Sequence, residues 1–121
     1  MNFQEHMRRI VDTVPGAIAS SIMGFDGIAI DTYKVEGCAL DIPTTIIEYS
    51  AAAIAARRAA ELLEHPGDVT EISIAADTIT LILRPISKQM FIAVVLAPGA
   101  LTGKARFLMR VAAPYVAKEL S

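Results

Sequence analysis

The stretch IPTTIIEYSAAAIAARRAAELLEH, residues 42–65, decides the reading of this chain. Asp41 stands just before it as a side-chain cap for the first free amides. Pro43 sits in the first turn, where its missing N–H costs nothing. His65-Pro66-Gly67 is a stop signal, so the spacing predicts one long helix over 42–65. An ordinary surface helix carries one apolar stripe and one polar face. Here Ala51-Ala52-Ala53-Ile54-Ala55-Ala56 is apolar all round, and Ala59 and Ala60 continue it. Such a helix wants cover on two sides. A sheet supplies one. The small residues on the other side let a second helix approach closely, most economically that of a second copy. Glu48, Arg57, Arg58 and Glu61 border that contact, where they set register or face a third protein.

The elements around the long helix come in two groups. Before it, Phe3, Met7, Ile10, Val11 and Val14 follow helical spacing, which predicts an amphipathic helix over 2–14. Asn2 and Glu5 resemble a capping box, and Pro15-Gly16 ends it. Strands follow at 17–23 and 28–34, joined by Gly24–Gly27, and a loop spans 35–41. After the long helix come strands at about 69–76, 78–85 and 89–97. The run MFIAVVLA is apolar on both faces and should be the central strand. Thr102 should cap a last helix with Ala105, Leu108, Ala112, Val116 and Leu120 on one stripe, kinked at Pro114. The order α-β-β-α-β-β-β-α predicts an α+β fold, an α/β/α sandwich around one mostly antiparallel five-stranded sheet. The strand VTEISIAAD reads as an edge, and an edge is a liability unless it pairs. Pairing with its copy would continue the sheet. The candidate dimer contacts are therefore Ala52, Ala53, Ala56, Arg57 and Ala60 on the helix, with Glu71, Ile72, Ser73 and Ile74 on the strand.

At 121 residues the length predicts a single domain over 1–121. With 54% hydrophobic and only 20% charged residues, the chain is too apolar for disorder, and some of its surface should lie under another chain. The net charge is −2, and no basic run exceeds Arg8-Arg9 or Arg57-Arg58, so no nucleic-acid partner is expected. Cys38 is the only cysteine, which rules out an internal disulfide and fits a reducing, cytoplasmic setting. The amphipathic N-terminus is no signal peptide, and no membrane insertion is expected.

Enzymatic signals are weak. Gly99-Ala100-Leu101-Thr102-Gly103-Lys104-Ala105 follows an apolar strand and opens a helix, as a phosphate loop does. Three residues rather than four separate its glycines, and Ala105 replaces the hydroxyl that would hold magnesium. His6 and His65 stand alone, and Cys38 has no local cue for a lowered pKa. The sequence therefore predicts no catalytic residues, no cofactor and no metal.

The stretch SIMGFDGIAID, residues 21–31, places an aromatic ring at a tight turn whose Asp-Gly dipeptide suits a hairpin. A ring on a rigid hairpin makes a good interface anchor. Alternatively it folds back on a neighbouring helix and completes the core. Phe25, Asp26, Gly27 and Ile28 are the candidate partner-binding residues.

The element order, together with VPGAIASSIMGFDGIAIDT and GALTGKARFLMR, resembles the Roadblock (dynein light-chain) domain over nearly the whole chain. Gly103 and Arg106 match that family's Gly-x-x-Arg, while Leu101 departs from its frequent Asn. SIMGFDGIAIDT is similar to the MglC type, in the bacterial branch beside the Mgl polarity system. The resemblance implies a homodimer built through the long helix and an edge strand, with no catalysis of its own. It implies an adaptor in a small Ras-like GTPase system, partnered by an MglB-type Roadblock regulator, by the GTPase, or by both. A direct GTPase activator and a small-molecule sensor are the alternatives.

Overall fold

A computed structural model describes residues 1–65 and 67–121. In chain order the elements are α1 (Phe3–Thr13), β1 (Ala17–Gly24), β2 (Ala29–Lys34), α2 (Ile42–Glu61), β3 (Ile72–Ala75), β4 (Thr80–Pro85), β5 (Met90–Leu96) and α3 (Thr102–Glu119). The strands form one sheet in the order β2-β1-β5-β4-β3, and every neighbouring pair is antiparallel. The α+β fold and the element order agree with the sequence reading.

The central place of β5 follows from its composition. Phe91 through Leu96 are all fully buried, because alternate residues project to opposite faces and both faces are covered. Ile92, Val94 and Leu96 join Met7, Ile10 and Val11 of α1 and Ala105, Met109, Ala112 and Val116 of α3 in one cluster. Phe91, Ala93 and Val95 join Ile42, Ile46 and Ala53 of α2 in the other. Two helices thus cover one face and a single helix covers the other.

The caps of α1 and α2 are as the sequence predicts. The Asn2 Oδ1 accepts from the Glu5 amide at 2.8 Å, and the Asp41 Oδ1 accepts from the Thr44 amide at 3.2 Å. Three boundaries are corrected. The helix α2 stops at Glu61, not at 65, with Leu62 as its cap residue. Leu62 and Leu63 are 87% and 61% exposed, so no packing holds a further turn. The stop signal's Pro66 lies outside the described residues. The strand β3 is shorter than 69–76, because its ladder with β4 runs only from Ile72–Leu83 to Ala75–Thr80. Thr102 does not cap α3. Leu101 holds the cap position without a side-chain bond, and Thr102 is the first helical residue. Pro114 lies within α3, which continues past it to Glu119.

One glycine fixes how the two ends of the chain meet. Gly16 has φ +88°, and a Cβ there would lie 2.5 Å from the Ala100 Cβ. The turn after α1 therefore packs directly on the turn before α3, with the Ala97 amide donating to the Gly16 carbonyl at 2.8 Å.

Candidate functional site

Two hairpin tips meet at one end of the sheet. The first, 24–28, is closed by the Gly24 amide on the Ile28 carbonyl (2.9 Å) and the Gly27 amide on the Gly24 carbonyl (3.0 Å). The Asp26 Oδ1 accepts from the Ile28 amide at 3.0 Å, and Gly27 takes φ +89°. Asp26 and Gly27 are thereby explained by the turn itself. The second tip, 86–89, is tied to the first by the Phe25 amide donating to the Gln89 carbonyl at 2.9 Å. A register shift between Ile22 and Met23 puts Asp31 opposite Ile22 but Ala29 opposite Met23. A bulge of this kind re-aims the end of a hairpin.

Phe25 is half-buried at this junction. Its ring meets Phe91 at 5.0 Å and 58°, and the Arg57 guanidinium covers it at 4.2 Å. The Arg57 Nη2 also donates to the Lys88 carbonyl at 3.1 Å. Arg57 is thus engaged inside its own chain, bridging α2 to both tips, while Arg58 is exposed. Of the four tip candidates, Asp26 and Ile28 are exposed, Ile28 by 66%, while Phe25 and Gly27 are half-buried. The tip lies beside α2: a Cβ on Gly27 would sit 3.8 Å from the Ile47 Cγ1. Ile47 and Ile54 are themselves exposed large apolar residues. At helical spacing Ile47, Ala51, Ile54 and Ala55 share the outward side of α2, and all four are exposed.

The candidate dimer residues separate by face. Ala52 is exposed, and Ala56 and Ala60 are half-buried. Ala53 needs correction, since it is fully buried against the sheet and has no surface to offer a second chain. The reason is rotational. Ala53 lies on the same stripe as Ile42, Ile46 and Ser50, which α2 turns inward. On β3, Ile72 and Ile74 stand opposite Leu83 and Leu81 and share the α2 face. Glu71 and Ser73 point to the other face, where Arg106 of α3 holds both. Its Nε meets the Glu71 Oε2 at 2.9 Å, and its Nη2 donates to the Ser73 Oγ at 3.0 Å. Sequence reasoning marked Arg106 by resemblance but gave it no partner. The pairing spans 35 positions, and no local signal carries it. The strand β3 ends the sheet, so its outer side is an unpaired edge among the described residues.

No cluster of three or more metal-ligating side chains occurs among the described residues, and no helix among them is long and apolar enough to cross a membrane. His6 is buried and stacks on Tyr115 at 5.6 Å. Its burial, and then the charges of the N-terminus and Arg9, lower its pKa, opposed by Glu119 and Glu5. The Tyr33 hydroxyl donates to the Asp12 Oδ1 at 2.9 Å, which raises the Tyr33 pKa.

No family model and no curated protein matches the sequence. Among solved structures, MglC from Myxococcus xanthus is 36% identical, with 98% of this chain and 99% of that chain covered and a TM-score of 0.70. A Roadblock/LC7 domain from Streptomyces avermitilis superposes with a TM-score of 0.84 at 17% identity, over 99% of this chain and 98% of that one. The gliding protein MglB from Thermus thermophilus gives 0.84 at 15% identity, over 97% and 87%. The last two likenesses carry the fold alone.

Proposed function

The chain belongs to the Roadblock family and is of the MglC type, and from that premise we propose that it is a non-catalytic, homodimeric adaptor in a small Ras-like GTPase system. The 36% identity to MglC, end to end, carries this reading. The outward face of α2 supports the homodimer, because Ile47 and Ile54 with intervening alanines form an apolar surface that water disfavours. The unpaired edge of β3 supports it too. In the dimer, Ala52, Ala56 and Ala60 let two α2 helices approach, while Ile72 and Ile74 extend the apolar contact. Arg57 supports the contact indirectly by fixing α2 to the hairpin tips.

The partner is an MglB-type regulator, docked at the tip 24–28. Ile28 offers the exposed apolar anchor, and Phe25 stiffens the tip from beneath. The test is capture from the native lysate with wild type, Ile28→Lys and Phe25→Ala as baits. Ile28→Lys should keep the wild-type melting temperature and lose an MglB-type protein. Phe25→Ala should lose stability as well, since its ring packs on Phe91. Equal capture of that protein by wild type and Ile28→Lys removes the tip as its site. Adding the chain to a GTP hydrolysis assay of a small Ras-like GTPase from the same lysate separates an adaptor from an activator. An unchanged rate supports the adaptor.

A further inference from the structure

The helices α1 and α3 lie side by side and antiparallel on the face of the sheet away from α2. The Phe3 amide donates to the Glu119 Oε2 at 2.6 Å, and His6 stacks on Tyr115. Their outer surface combines two features that polar solvent alone does not explain. The first is a stripe of Phe107, Val111 and Tyr115 at four-residue spacing on α3, exposed by 47%, 42% and 62%. The second is charge. Together α1 and α3 carry Arg8, Arg9, Lys104, Arg106, Arg110 and Lys118 against Glu5, Asp12 and Glu119. The two helices are net +3, and still +2 when Glu71, which Arg106 holds on this face, is counted with them; the rest of the chain then has five cations against nine acids, net −4. Lys104, Arg110 and Lys118 are exposed beside the stripe, and the Arg110 guanidinium stands 5.8 Å over the Phe107 ring.

We propose that this outer face of α3, with α1 beside it, rests on an anionic lipid surface. Aromatic rings amid long cations suit the headgroup region. There the rings enter the acyl boundary, while Lys and Arg keep their charges among the phosphates. The charge complementarity favours this face over the other, since α2 carries only two cations, Arg57 and Arg58, against two acids, Glu48 and Glu61. The shape argument rests on the homodimer proposed above. When two β3 edges pair antiparallel about an axis perpendicular to the sheet, both α1–α3 layers lie on one side of the extended sheet. The basic, aromatic surface is then doubled in one plane, which matches a bilayer better than a single peptide groove. Contact is peripheral, since no helix among the described residues is long and apolar enough to cross a bilayer.

The test is sedimentation of the full chain with phosphatidylcholine vesicles, with and without phosphatidylglycerol, at low and high salt. Wild type should sediment with the anionic vesicles only, and high salt should release it. Lys104→Glu combined with Arg110→Glu should weaken binding at least roughly tenfold without altering the melting temperature. Val111→Ser should weaken it less. Sedimentation with neither vesicle, equal sedimentation with both, or binding untouched by the charge reversal overturns the proposal. So does wild type that ignores vesicles but holds an acidic protein through Lys104 and Arg110. A wild type that is monomeric by light scattering, yet binds anionic vesicles through these residues, sustains the lipid face and removes the homodimer.

Discussion

On one face of the sheet, α1 and α3 bury their apolar stripes, and the first turn of α1 is tied to the last turn of α3 through Phe3–Glu119 and His6–Tyr115. On the other face, α2 alone covers Phe91, Ala93 and Val95, and it leaves Ile47 and Ile54 in solvent. A sheet five strands wide is broader than one helix. The face with two helices is therefore closed within the chain. The face with one helix is finished at its centre and unfinished at its β3 edge. The sheet itself is thus fully covered on one side, while on the other its β3 edge is where the proposed second copy would have something left to bury.

The largest expected effect tests whether the one-helix face is nonetheless a true core. Phe91→Ala should lower the unfolding free energy by about 3–5 kcal/mol in urea denaturation, because Phe91 is fully buried under α2. A loss below about 1 kcal/mol would mean that this face is loosely packed. Next comes a direct contrast of the two outer surfaces. Ile54→Lys on α2 should halve the molar mass seen by light scattering at micromolar concentration and remove any concentration dependence of the melting temperature. Val111→Ser on α3 should leave the mass unchanged. The opposite pattern would move the dimer contact to the other face.

Smaller effects follow from single side chains. Arg57→Ala should cost about 1–2 kcal/mol, since it removes both the cover on Phe25 and the bond to the Lys88 carbonyl. Wild-type stability in that variant would show α2 to be held by its buried stripe alone. His6 gives the two-helix face a pH dependence. Its folded pKa is lowered, so the unfolded chain binds more protons between the folded and unfolded values. Its contribution is full above about pH 6.5 and is lost as the pH falls through that window. His6→Phe should flatten the fall in stability measured between about pH 7 and 5. The smallest effect concerns Ser20, whose Oγ is buried on the two-helix face without a hydrogen-bond partner. Ser20→Ala should be neutral or stabilising by up to about 1 kcal/mol. A clear loss of stability would reveal a partner for that hydroxyl.

Much of this was legible in local patterns. The Asn2 and Asp41 caps, the two-sided apolarity of 91–96 and the turn at Asp26-Gly27 each depend on residues within a few positions of one another. The cap of α3 was misread because Thr102 looks like a capping residue, yet the turn from Gly99 sets Leu101 there instead. The candidate site was legible only in part. That α2 is apolar all round can be read from sequence, but which alanines face inward depends on how the helix sits on the sheet. Ala53 is therefore lost to the interior while Ala52, one residue away, stays in solvent.

The sequence by itself determined the elements, their order, the central strand and the family, because periodicity, caps and turns are written in neighbouring residues. Only the tertiary structure decided the use of the charges. Arg57 was turned inward onto Phe25 and the Lys88 carbonyl, and Arg106 was joined to Glu71 and Ser73 across the chain. Long cations reach several ångströms from their backbones, and their partners are set by which elements the sheet order brings together, a property no local pattern encodes.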